Sequence, residues 1–119
     1  MAKDKFHESV KQAQYRQNIQ DLLTDHARVQ PIGGEIESQT VFDLQRDRYL
    51  LIDLGWDGQR RIYSAVIHIE IREGKIWIQR NQTDSPIADD LLARGVTRED
   101  IIVGLQPPEF RQYTGLGVA

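Results

Sequence analysis

Two short turns, Asp57-Gly58 and Glu73-Gly74, separate runs in which apolar and polar residues alternate. Glycine takes positive φ at little cost, so each dipeptide reads as the bend of a β-hairpin. If Asp57-Gly58 is the turn, Leu54 lies opposite Arg61, Ile52 opposite Tyr63 and Leu50 opposite Ala65. If Glu73-Gly74 is the turn, Ile71 lies opposite Ile76 and Ile69 opposite Ile78. Side chains alternate between the faces of a sheet. Leu50, Ile52, Leu54, Tyr63, Ala65, Ile67, Ile69, Ile71, Ile76 and Ile78 are therefore expected on one continuous apolar face. Ser64, Val66, His68, Glu70, Trp77 and Gln79 then form a mixed opposite face.

The same period of two extends back to Glu35. It gives a first strand through Phe42, a polar turn at Gln45-Arg46-Asp47, and a second strand from Arg48 to Leu54. Before it, Asp4 to Ala27 reads as an amphipathic helix, with Phe6, Val10, Ala13, Tyr15, Ile19, Leu22, Leu23 and His26 at helical spacing. Pro31 and Gly33-Gly34 close that segment. After the sheet, Ser85-Pro86 suits a helix start with proline at its first position, and Gly95 suits its end. Thr97 to Asp100 resembles a second capping segment, and Ile101 to Leu105 is a short buried strand or a helical turn. The expected class is α+β: an N-terminal helix, a four-stranded antiparallel meander, a C-terminal helix and an irregular tail. With 119 residues, no internal repeat and no linker, residues 1–119 read as a single domain.

Composition removes several functional classes. There is no cysteine, which excludes disulfides, thiolate catalysis and cysteine-ligated metals. The polar start Met1 to Glu8 does not read as a signal peptide, and no apolar run is long enough for a membrane helix, so a cytoplasmic location is expected. Fifteen basic residues are scattered among 18 acidic ones, for a net charge of −3. Duplex-binding proteins concentrate positive charge against phosphates, so direct DNA contact is left open but not favoured. No phosphate-binding glycine loop and no nucleophile motif is present. The sequence gives no reason to expect a catalytic residue, a cofactor or a metal.

Four groupings remain. His68 and Glu70 share a strand face and could supply two metal ligands, but a surface hydrogen bond between them is the simpler reading. Asp43, Asp47, Asp53 and Asp57 resemble a magnesium-binding carboxylate set, yet no lysine accompanies them, and Asp47 and Asp57 suit turns. Arg46, Arg48, Arg60 and Arg61 lie near Tyr49, Trp56 and Tyr63, a mixture enriched at protein–protein hot spots and in single-strand grips alike. Phe110, Arg111, Gln112 and Tyr113 form a second aromatic-basic patch that either packs onto the sheet or meets a partner. Arg46, Arg48, Trp56, Arg60, Arg61, Tyr63, Arg111 and Tyr113 are the residues expected to bind a protein partner.

Read in order, many segments resemble the XisI family. They are Asp43-Leu44-Gln45-Arg46-Asp47-Arg48-Tyr49, Gly55-Trp56-Asp57-Gly58, Arg60-Arg61-Ile62-Tyr63 and His68-Ile69-Glu70-Ile71. They continue through Gly74-Lys75-Ile76-Trp77-Ile78-Gln79, Gly95-Val96-Thr97-Arg98-Glu99-Asp100-Ile101 and Arg111-Gln112-Tyr113-Thr114-Gly115. The resemblance implies a controlling factor for excision of a DNA element, of the kind that interrupts a nitrogen-fixation operon in cyanobacteria. It further implies a companion, the nuclease-like XisH. Because no catalytic motif is found, a non-enzymatic role through protein binding is expected, ahead of direct DNA binding and, last, of a metal-dependent enzyme. Homo-oligomerisation is left open.

Overall fold

The first helix, α1 (Ala2–Ala27), is 26 residues long, about 39 Å at 1.5 Å per residue. Tyr15, Ile19, Leu22 and Leu23 follow the i, i+4, i+7, i+8 pattern and are buried, so one stripe faces the core. Val10 and Ala13, expected on that stripe, are exposed. The computed structural model describes residues 2–29 and 35–118, with side chains from Val10 onward in α1. Pro31, Gly33-Gly34 and the side chains of Phe6 and His7 lie outside the described residues.

Four antiparallel strands follow: β1 (Glu35–Asp43), β2 (Arg48–Asp57), β3 (Arg60–Arg72) and β4 (Lys75–Asn81). A short helix, α2 (Ile87–Ala93), returns the chain to β5 (Ile101–Val103), which pairs parallel to β4. The sheet is thus five-stranded and mixed, in the order β1-β2-β3-β4-β5. This corrects the expected four-stranded antiparallel meander. A helical crossover allows the parallel return, and three residues are too few to show a period. Pro86 stands one position before α2 rather than at its first residue.

Ile71 faces Ile76 and Ile69 faces Ile78, as the Glu73-Gly74 turn requires. Both turn residues take positive φ, 51° and 76°, the signature of the tight hairpin bend. At the other hairpin Asp57 pairs with Arg60, so Gly58-Gln59 is the bend and the register moves by two residues. An even shift keeps faces, and Leu54 lies opposite Tyr63 and Ile52 opposite Ala65.

The parity breaks one step further on. Ile52 pairs with Ala65 but Leu51 pairs with Ile67, leaving Val66 as an extra residue in β3. Such a bulge exchanges the faces of everything beyond it. Ile67, Ile69, Ile71, Ile76 and Ile78 turn inward with Tyr49 and Leu51, against α1 and α2, and all seven are buried. Leu50, Ile52, Leu54, Tyr63 and Ala65 are sent to the opposite, outer face. The one apolar face expected from the turns is two half-faces on opposite sides of the sheet. A second shift, between His68 and Ile69, makes Gln79 the extra residue of β4.

Polar clamps fix α1 to the sheet. Asp47 is buried at φ 55°, where it accepts two hydrogen bonds from Arg16 (2.6 and 3.0 Å) and one each from Tyr49 Oη (2.9 Å) and Gln12. Burial pushes its acidity down, but Arg16 and Tyr49 outweigh that and hold its pKa below the usual range. Asp100 accepts from Tyr15 Oη (2.6 Å) and pairs with Lys11 (2.6 Å), which holds it low in the same way. Gly55 allows β1 and β2 to close, because a Cβ there would collide with the Glu35 carbonyl and the Ile36 backbone.

Candidate partner-binding face

The outer face is a grid of registered rows across β1, β2 and β3. From the Gly58 hairpin downward they read Glu35–Trp56–Arg61, Glu37–Leu54–Tyr63, Gln39–Ile52–Ala65, Val41–Leu50–His68 and Asp43–Arg48–Glu70. Among the described residues no helix covers the first four rows. Trp56 is 48% exposed, Tyr63 69% and Val41 44%, while Leu50, Ile52, Leu54 and Ala65 are half-buried by their neighbours. A contiguous apolar patch open to solvent is a hallmark of an interaction site. Arg61 lies over the Trp56 ring at 5.3 Å and donates to the Gly55 carbonyl, which orients both side chains.

The opposite end of this face is polar and satisfied by the chain itself. Glu70 is buried there, accepting from Arg72 Nε (2.6 Å) and sharing a hydrogen bond with His68 Nε2 (2.8 Å), with Arg48 at 3.6 Å. Burial raises the pKa of Glu70, but Arg72 and His68 together bring it below its ordinary value. Trp77 is flanked by Arg72 (5.7 Å) and by Arg111 (5.0 Å), which reaches over from the 3₁₀ turn Pro108–Tyr113. Phe110 and Tyr113 of that turn are 53% and 77% exposed.

Of the residues expected to bind a partner, the fold therefore puts Arg48, Trp56, Arg61 and Tyr63 on one face. Arg48 and Trp56 are eight residues apart on β2, so about 27 Å separates the two ends. Arg111 joins the Arg48 end, and Tyr113 lies two residues beyond it. Arg46 sits in the β1–β2 turn, paired with Asp43 (3.2 Å), and Arg60 opens β3 opposite Asp57, with which it pairs (3.5 Å) on the other face from Arg61. Sequence reasoning missed Leu50, Ile52 and Leu54 as parts of this surface by placing them in the core.

The other groupings have structural partners. Asp43 caps its turn by accepting from the Gln45 and Arg46 amides, Asp47 belongs to the clamp, Asp53 accepts from Ser38 (2.7 Å) and Asp57 sits at the hairpin tip. These four carboxylates do not converge, and His68–Glu70 is the hydrogen bond already described. Among the described residues no three His, Asp or Glu side chains are grouped to hold a metal. A groove of about 420 Å³ lies between the end of α1 and the inner sheet face, lined by Asp25, His26, Ser38, Leu51, Asp53 and Asp90 among others. Arg94 bridges Asp25 (2.9 Å) and Asp90 (2.7 Å) across it. No described helix is long and apolar enough to cross a membrane.

Comparison with known proteins carries this geometry to a family. The model of the XisI protein family matches residues 10–118. The chain belongs to the XisI family. A crystal structure of a XisI-like protein from Anabaena variabilis is 44% identical, with a TM-score of 0.84, covering 91% of this chain and 99% of that one. A second Anabaena variabilis structure, of the fdxN element excision controlling factor XisI, is 32% identical, with a TM-score of 0.79 and coverage of 92% and 99%. No curated protein matches. This chain thus shares the XisI fold, the α+β arrangement described above.

Proposed function

We propose that this XisI chain is a non-enzymatic controlling factor for excision of a DNA element, and that it acts by binding another protein. The observation that carries the reading is the open apolar outer face, framed by Trp56, Tyr63 and Arg61 and continued toward Arg48, Arg111 and Tyr113. Aromatic and arginine side chains over a partly buried aliphatic floor are the composition of an interface centre. The role in excision rests on kinship with the fdxN element excision controlling factor XisI. The partner proposed for that surface is a XisH-like, nuclease-fold companion.

Direct DNA binding is the weaker reading, for an electrostatic reason. Arg16, Arg28, Arg46, Arg48, Arg60, Arg72 and Arg94 each pair with a carboxylate of this chain, so little free positive charge gathers on any side. The test is co-purification of the tagged full chain with a XisH-like protein, with and without nuclease. Nuclease-insensitive recovery, weakened by Tyr113→Ala or Arg48→Ala, supports the reading. Recovery of DNA alone overturns it.

A further inference from the structure

The outer face has two halves with different needs. At the Arg48 end the chain covers itself, since Arg72 and Arg111 lie over Trp77 and three side chains surround Glu70. At the hairpin end Trp56 and Tyr63 are exposed, and no described helix lies over Leu50, Ile52 and Leu54, which only their sheet neighbours half-bury. The two borders of that half differ in charge. On the β1 border Glu35 and Glu37 make no ion pair with any described residue, whereas the β3 border carries Arg61, on the same row as Glu35.

The register fixes how these borders can meet. Glu35 is level with Arg61, and Glu37 with Tyr63, each pair separated by the width of β2 alone. A two-fold axis parallel to β2, placed above it, carries β1 of one copy over β3 of the other at the same height. Glu35 then arrives against Arg61 of the second copy, and Glu37 beside its Tyr63. Leu50, Ile52, Leu54 and Trp56 stack on their own symmetry mates. The face is self-complementary, as an isologous pair demands. Two antiparallel sheets packed in this way form an ordinary aligned sandwich.

We infer that a second copy of this chain docks on the hairpin half of the outer face, building a two-fold sheet-on-sheet dimer. The pairing rests on reading that face as a binding surface. It leaves Arg48, Arg111 and Tyr113, at the other end, for the companion protein. The contact spans three strands and four rows, a footprint at the small end of stable interfaces. The dimer is therefore expected to be reversible, with dissociation in the micromolar range.

The test is sedimentation velocity on the full chain from about 1 to about 200 µM, with folding checked by circular dichroism. Wild-type protein is expected to move from monomer to dimer across that range. The variants Glu35→Arg and Arg61→Glu alter exposed side chains, so both should fold. Each alone should be at least tenfold weaker in self-association, and an equimolar mixture should recover the dimer. A wild-type monomer at the highest concentration overturns the inference, as does a dimer that neither variant weakens. A monomer that still captures the XisH-like companion removes only the pairing. A dimer that captures no companion leaves the pairing and removes the controlling-factor reading.

Discussion

Ile67, Ile69 and Ile71 occupy the inner half of β3 and are wholly or nearly wholly buried, while Tyr63 and Ala65, a few residues earlier on the same strand, face outward beside Ile52 and Leu54. Both stretches alternate, and both are apolar on the alternating positions. The difference between them is one residue, Val66, whose insertion exchanges the faces. A strand that continued without it would put every one of these side chains under α1, where the helix is too narrow to cover them. The bulge divides the apolar set between a core and a patch. The core carries the stability and the patch is free to bind.

That contrast predicts unequal costs. Ile69→Ala removes a fully buried side chain beneath α1, and should lower unfolding free energy by about 4 kcal/mol. Urea titration would show this as an earlier midpoint at unchanged slope. A loss below about 1 kcal/mol would mean the inner half is no better packed than the outer. Next in size is Asp47→Asn, which keeps the side-chain shape and tolerance of positive φ but discharges the acceptor of Arg16 and Tyr49. Charge-assisted hydrogen bonds of this kind imply a loss of about 2 kcal/mol. An unchanged midpoint would make the clamp a contact of no energetic consequence.

Acid should expose the same clamps. Asp47, Asp100 and Glu70 all have folded pKa values below their ordinary 3.8, 3.8 and 4.5. A carboxylate lowered on folding contributes stability above its unfolded pKa and loses it as pH falls through the folded value. Stability should therefore hold near neutrality and decline below about pH 4.5. Asp47→Asn should flatten part of that decline, because it removes one of the three groups that titrate. An equal decline in the variant would remove Asp47 from the set.

The hairpins were readable because Gly58 and Gly74 announce bends and the flanking residues alternate. The bulge was hidden by the same alternation, since an even register error and an odd insertion both leave plausible strands. Its one trace is the unbroken apolar run Ala65-Val66-Ile67, which alternation alone does not produce. β5 escaped because three residues carry no period, and its direction is set by the crossover through α2. The clamp on Asp47 could not be read at all, because Arg16 stands 31 residues away on another element. The residues expected to bind a partner are chosen by type, and the fold brings Arg48, Trp56, Arg61 and Tyr63 of them to one face, but the aliphatic floor between them does not read from sequence as part of that surface. Local chemistry marks the rim of such a surface, and only tertiary register shows what lies inside it.

The smallest expected effect is also the sharpest test of the contrast. Leu54 lies half-buried on the outer face between Glu37 and Tyr63, with no helix above it. In the isolated chain Leu54→Ser should cost less than about 1 kcal/mol, since a surface position gains little from burial. If a second copy covers this face, dimerisation adds stability that grows with protein concentration. The cost of Leu54→Ser should then rise between dilute and concentrated samples, while the cost of Ile69→Ala stays constant. Thermal unfolding of both variants at two concentrations distinguishes the cases. A large penalty for Leu54→Ser already present at the lower concentration would make Leu54 part of the monomer's core. A small penalty that never grows would leave the outer face bare in solution.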